Sequence, residues 1–139
     1  MTPVLAAIDL GASAPKVAAK AIEIGKALGL TVVPVHALTP ERLEDYRESL
    51  PQEGAFVDVL MSRLGADVMD HFAGHQGVSQ ARVLVGEAAE TVLDEANSVD
   101  ASYIVIGIRN RSRVGKLLMG SVAQEILLDS PCPVVGVPV

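Results

Sequence analysis

Tryptophan is absent from this chain, tyrosine and phenylalanine occur twice each, and cysteine occurs once. With so few rings, the interior of a 139-residue chain has to be packed from Val, Leu, Ile and Ala, the mixture found in strands buried on both faces. A single Cys132 excludes an internal disulfide framework. Set between Pro131 and Pro133 at the entry to an apolar strand, it reads as a buried, inert thiol. Cationic residues are the minority, 11 Lys and Arg against 17 Asp and Glu, for a net charge of −6. That balance argues against nucleic acid as a partner, because phosphate-backbone binding needs a basic surface. No apolar run reaches membrane-spanning length. The start, MTPVLAAIDLG, has no basic region ahead of its apolar run and carries Asp9 where a secretion signal would still be apolar. These absences together lead to the expectation of a soluble, cytoplasmic protein with no membrane partner.

Half of the residues are apolar, enough for a core of ordinary domain size, and they come in strand-length and helix-length groups that alternate. Residues 3–8, 30–38, 81–85, 103–107 and 134–139 read as five strands. Pro34 lies inside the second of these, where a proline cannot donate to a ladder, which counts against a fully paired central strand. Between the first two strands, Ser13 and Pro15 suit a helix start. Val17, Ala21, Ile24 and Leu28 recur at helical spacing, and Gly29 suits the stop. Val57, Leu60, Leu64, Val68 and Phe72 mark a helix over 56–74. Ala89, Val92, Ala96 and Val99 mark another, with Glu87 and Glu90 where acids suit the helix dipole. A last helix is expected over 120–128, with Val122, Ile126 and Leu127 able to face inward. Residues 39–55 are charged, hold two prolines and lack an apolar stripe, so they read as a surface excursion with at most a short helical turn. Strands alternating with helices mean an α/β domain with a parallel sheet and helices on both faces. No repeat or linker divides the chain, so one domain over 1–139 is expected.

Within that frame, the segment 103–122, YIVIGIRNRSRVGKLLMGSV, is the natural candidate for chemistry. A strand breaks at Gly107, a cationic loop follows, and a helix starts through Gly120, Ser121 and Val122. Arg109, Arg111, Arg113 and Lys116 fall close together with no acid among them. Backbone N–H groups and a helix N-terminus hold phosphate well, and guanidinium groups match its oxygens. In an open parallel sheet ligands bind beyond the carboxyl ends of the strands, where the strand order reverses. If the first and fourth strands are neighbours, Asp9 and the 107–121 loop face each other across one crevice. Asp9 then serves either as an acceptor for a nucleoside or as the cap of its own turn.

The spacing of Gly107, Asn110, Gly120 and Ser121 resembles the nucleotide-binding signature of the universal stress protein family, G-x-x-G-x9-G-S/T. Further matching segments run end to end: VLAAIDLG, VVPVHAL, VLVGEAAETVLDEA, YIVIG and LLMGSVAQEILLDSPCPVVGV. The resemblance implies a Rossmann-like open sheet of five parallel strands in the order 3-2-1-4-5. It also implies a homodimer, paired here through the C-terminal strand, and ATP as bound nucleotide, with or without Mg2+. Carried over position by position, Ala7, Asp9 and Ala37 would border the adenine and ribose, and Ile106 and Gly107 would lie along the nucleoside. Arg109, Asn110, Gly120, Ser121 and Val122 would meet the phosphates. Asn110 stands where the signature has glycine. Glycine there permits a positive φ and close backbone approach; asparagine tolerates the left-handed region best among the other residues but adds a side chain.

The function expected from this resemblance is a nucleotide-responsive stress-response module rather than an enzyme. A nucleotide-independent dimeric assembly protein is the alternative, and a slow ATPase a third. No Ser-His-Asp order, paired carboxylates or lysine-bearing phosphate loop of the G-x-x-x-x-G-K-S/T type occurs, so any hydrolysis is expected to be slow. Asp67, His71 and His75 recur at helical spacing, but without a fourth ligand they favour a helix surface over a metal site.

Overall fold

The computed structural model describes residues 2–50, 54–109 and 120–139. Five parallel strands form one sheet: β1 (Val4–Ala7), β2 (Val32–Leu38), β3 (Arg82–Val85), β4 (Tyr103–Ile108) and β5 (Val134–Pro138). Their order across the sheet is β3-β2-β1-β4-β5, as the resemblance implied. The chain winds outward in one direction through β2 and β3, then returns to the other side of β1 for β4 and β5. The reversal therefore falls between β1 and β4, which pair from Val4 opposite Tyr103 to Ala6 opposite Val105.

Alternation along the strands sends side chains into two cores. Val4, Ala6, Ile8 and Val105 meet one face, covered by α1 (Ala14–Leu28) and α3 (Phe56–Asp70). Leu5, Val33, Val35, Ile104 and Ile106 meet the other, covered by α4 (Ala88–Ser98) and α5 (Ser121–Asp129). Both faces of β1 are closed, which is why it carries no polar residue. The buried side of α1 is Ala14, Val17, Ala18, Ala21 and Ile22, turned from the expected stripe, so that Leu28 is 52 % exposed. Gly25 sets that rotation: a Cβ there would stand 2.9 Å from the Leu30 carbonyl oxygen and from Val32. Gly29, at φ +67°, ends the helix as expected. On α5 only Ala123 and Ile126 are buried, and Val122 and Leu127 are exposed.

The expectation for Pro34 holds, and that for the charged segment after β2 needs correction. Pro34 is fully buried and lies in β2 between two neighbours, opposite Ala6 of β1. The strand tolerates it because of the side its nitrogen faces. Val32 N–H donates to Gly77 O and Leu38 O accepts from Gly86 N–H, so even-numbered positions of β2 address the β3 side. On that side pairing lapses between a bridge at Val32–Val78 and the start of β3 at Arg82 opposite Val35. The missing donor falls in the gap.

The correction concerns the charged segment after β2. It forms a ten-residue helix, α2 (Pro40–Ser49). Thr39 caps it by accepting from Arg42 N–H at 3.3 Å, and Pro40 supplies a pre-set first turn. No α2 residue is fully buried; Leu43 and Tyr46 pack against Leu38, Leu60 and Leu64. Among the described residues no helix is long and apolar enough to cross a membrane.

Candidate functional site

Beyond the carboxyl ends of β1, β2 and β4 the sheet opens into a cleft of about 660 Å³, within the usual range for small-ligand sites. Its floor is apolar: Ala7, Val35, Ala37 and Ile106 from the strands, Ala88 and Val92 from α4, Ala123 and Ile126 from α5. Of the ten residues carried over from the family resemblance, nine line this one cleft: Ala7, Asp9, Ala37, Ile106, Gly107, Arg109, Gly120, Ser121 and Val122. The tenth, Asn110, lies outside the described residues, as do Arg111, Arg113 and Lys116.

Asp9 leaves β1 one residue past Ile8 and turns back on itself. Its Oδ1 accepts from Gly11 N–H at 2.6 Å, closing the turn that leads to α1. The capping role therefore exists. Because it uses one carboxylate oxygen, Oδ2 is left for a second partner, and the two readings of Asp9 do not compete.

The two glycines of the β4–α5 wall differ in why they are glycine. A Cβ on Gly107 would stand 3.0 Å from Ser13 Cβ and 3.4 Å from Val17 Cγ2; this position lets the start of α1 lie against β4. Gly120 is the N-cap of α5 at φ −63°, and a Cβ there meets no described atom within 4 Å. Among the described residues neither packing nor backbone conformation calls for glycine at 120. Ser121 and Val122 follow at the helix N-terminus, where unpaired N–H groups and the dipole favour an anion. Arg109, exposed at the end of β4, is a cation on the same side. Ser13 is the N-cap of α1 but makes no side-chain cap bond, and it too lines the cleft.

The opposite wall holds groups that motif reading did not find. His36, 1 % exposed in β2, has Nδ1 2.7 Å from Ile8 O and Nε2 3.2 Å from Arg42 Nη1. Arginine only donates, so Nε2 accepts and the proton sits on Nδ1, donating to Ile8 O. The ring is neutral in this arrangement. Burial, the largest influence, pulls its pKa below the ordinary 6.5; the Ile8 bond opposes that, the Arg42 charge adds to it, and Asp9 opposes it. Arg42 and Thr39 then complete the rim on the β2 side. A Thr-Pro start to a helix is visible in the sequence, but nothing there says that the helix returns Arg42 to the sheet. Among the described residues no three or more His, Cys, Asp or Glu side chains are grouped to hold a metal ion.

Comparison with known proteins places this geometry in a lineage. The model of the universal stress protein family matches residues 1–138. A universal stress protein of Mycolicibacterium smegmatis is 45% identical over 86 residues, 60% of this chain and 66% of that protein. A Thermus aquaticus protein named universal stress protein in QAH/OAS sulfhydrylase 3′ region is 33% identical over 135 residues, 94% of each chain. Among solved structures, the universal stress protein of Archaeoglobus fulgidus in complex with dAMP superposes with a TM-score of 0.63 at 25% identity, over 98% of this chain and 97% of that one. The chain belongs to the universal stress protein family.

Proposed function

We propose that this protein is a nucleotide-binding module, with ATP as its ligand, and that the cleft is the binding site. The chain acts on this reading as one universal stress protein unit over 1–139. Ala7, Asp9 and Ala37 border the base and ribose, and Ile106 and Gly107 lie along the nucleoside. Arg109, Asn110, Gly120, Ser121 and Val122 serve the phosphates. The observation that carries the reading is the convergence of nine residues, from the ends of β1, β2 and β4 and the start of α5, on one 660 Å³ cleft at the strand-order reversal. The Archaeoglobus fulgidus relative solved with dAMP supports a purine nucleotide in this fold. With a net charge of −6, the chain concentrates positive charge and helix-terminal donors on a single small anion rather than a polymer. Output then comes from a partner that reads the loaded state. Isothermal titration with ATP–Mg tests it: heat of binding from the wild type, and at least tenfold weaker binding by Gly120→Val. A wild type that gives no heat rejects the reading.

A second reading, assembly through the C-terminal strand, is favoured by the outer edge of β5. Ile104 N–H donates to Pro133 O, and Val139 N–H donates to Ile108 O, so odd positions of β5 address β4. Val134, Gly136 and Pro138 address the outside, free to pair across a two-fold axis with a second copy. Val134→Pro removes an outward donor while leaving the β4 ladder in place. Sedimentation should show a homodimer for the wild type and a folded monomer for the variant; a variant dimer of undiminished affinity excludes this interface.

A further inference from the structure

Arg42 is unexplained by the nucleotide reading as it stands. It sits in the first turn of α2 and lines the cleft on the β2 side. Its guanidinium carries five N–H donors and no acceptor. One of them goes to His36 Nε2 at 3.2 Å; the ring that receives it is itself fixed, buried and bonded to Ile8 O at 2.7 Å. Among the described residues no partner takes the other donors, and Arg42 faces the cleft. Among the described residues Arg42 forms no ion pair with a carboxylate. Its helix gains nothing from it either, because a cation in the first turn faces the positive end of the dipole. His36 needs one neutral donor, which an amide would supply. A full positive charge, held by a buried ring at the rim of a cleft, has its use in what enters the cleft.

The chemistry of that ligand follows from the neighbours. In doubly wound sheets an acid at the crevice pairs with ribose hydroxyls, whereas an arginine accommodates a phosphate on the ribose. This cleft holds both, Asp9 after β1 and Arg42 after β2. Arg109 and the N-terminus of α5, beyond β4, form a separate anion position. β2 and β4 flank β1, two strand spacings or roughly 10 Å apart, so the two cations approach the crevice from opposite sides of β1. The geometry points to Arg42 as a second anion anchor, selecting nucleotides that carry a phosphate at the 2′ or 3′ position of the ribose as well as at the 5′ position. His36 acts as its positioning residue. This inference rests on the cleft being a nucleotide site.

Calorimetric titration of the intact wild-type chain with ADP, adenosine 2′,5′-bisphosphate and adenosine 3′,5′-bisphosphate tests it at equal phosphate number. One of the bisphosphates should bind about tenfold tighter than ADP, as a charge-assisted guanidinium–phosphate contact supplies; which one identifies the ribose position. Arg42→Gln keeps an N–H donor for His36 and so preserves the fold, checked by circular dichroism. It should bring the bisphosphate-to-ADP affinity ratio to near one, and Arg42→Lys should restore part of it. Bisphosphates that bind no tighter than ADP overturn the inference while leaving the nucleotide site intact, and so does an unchanged ratio in Arg42→Gln. If no nucleotide binds, the nucleotide reading fails first and this inference with it.

Discussion

The two walls of the cleft are built by different means. On the β4–α5 side, besides Arg109, the parts are main chain: a strand end, a glycine N-cap with no described atom near the place of a Cβ, and the first N–H groups of a helix. On the β1–β2 side they are side chains joined in series, from Ile8 O through the buried His36 ring to Arg42 on α2. A main-chain wall is specified by a few positions close together in sequence. A side-chain wall needs three elements to arrive at the same place, and each link depends on the tautomer and burial of the one before. The first kind suits any phosphate; the second suits a particular neighbour of the phosphate.

Substitutions can break that contrast in order of size. Gly107→Val is expected to act on stability, because its Cβ is driven against Ser13 and Val17. Overpacking of this kind costs about 1–3 kcal/mol, a fall in Tm of roughly 4–12 °C by thermal denaturation. An unchanged Tm would mean that α1 moves freely away from β4. Gly120→Val, on the same wall, meets no described atom. Its stability loss should stay below about 1 kcal/mol, the cost of a poorer N-cap, while its effect appears in nucleotide affinity. If Gly120→Val is the more destabilising of the two, the space that the described residues leave at 120 is not reserved for a ligand.

The β1–β2 wall should respond to acid. His36 has a folded-state pKa below the ordinary 6.5 because of its burial, so the unfolded chain takes up the proton first. The stabilisation is complete above pH 6.5 and is lost as pH falls from there toward the folded value. The cost is at most about 1.4 kcal/mol per pH unit. Denaturant titrations at pH 7.5 and 5.5 should show this loss in the wild type and a smaller one in His36→Gln. Equal losses would assign the acid sensitivity to other groups. The β4–α5 wall contains no histidine and adds nothing to this term.

What could be read from the chain before its structure follows the same division. The apolar runs gave the five strands to within a few residues, because buried parallel strands need continuous Val, Leu, Ile and Ala. The glycine spacing marked the β4–α5 wall because main-chain sites leave a local signature. Pro34 marked a strand that is not fully paired, but which side lacks its neighbour is a property of β3, whose first residue, Arg82, lies 48 positions further on. α2 was missed for a related reason. Among the described residues it touches the core through Leu43 and Tyr46, so no apolar stripe announces it, and Arg42 is one charge among several in a segment that reads as a surface excursion. The Thr39–Pro40 start was the one signal present, and it spoke for a helix rather than for a site.

Pro138 has a consequence beyond the sheet it ends. Of the three outward positions on β5, it is the one without an N–H to offer, so a neighbouring chain finds donors only at Val134 and Gly136. An exposed strand end is ordinarily a template on which copies add without limit. Here the template is two rungs long. With so few donors the edge is too short for the open-ended addition that a long, flat strand edge invites, although the segment is apolar and lies at the border of the sheet.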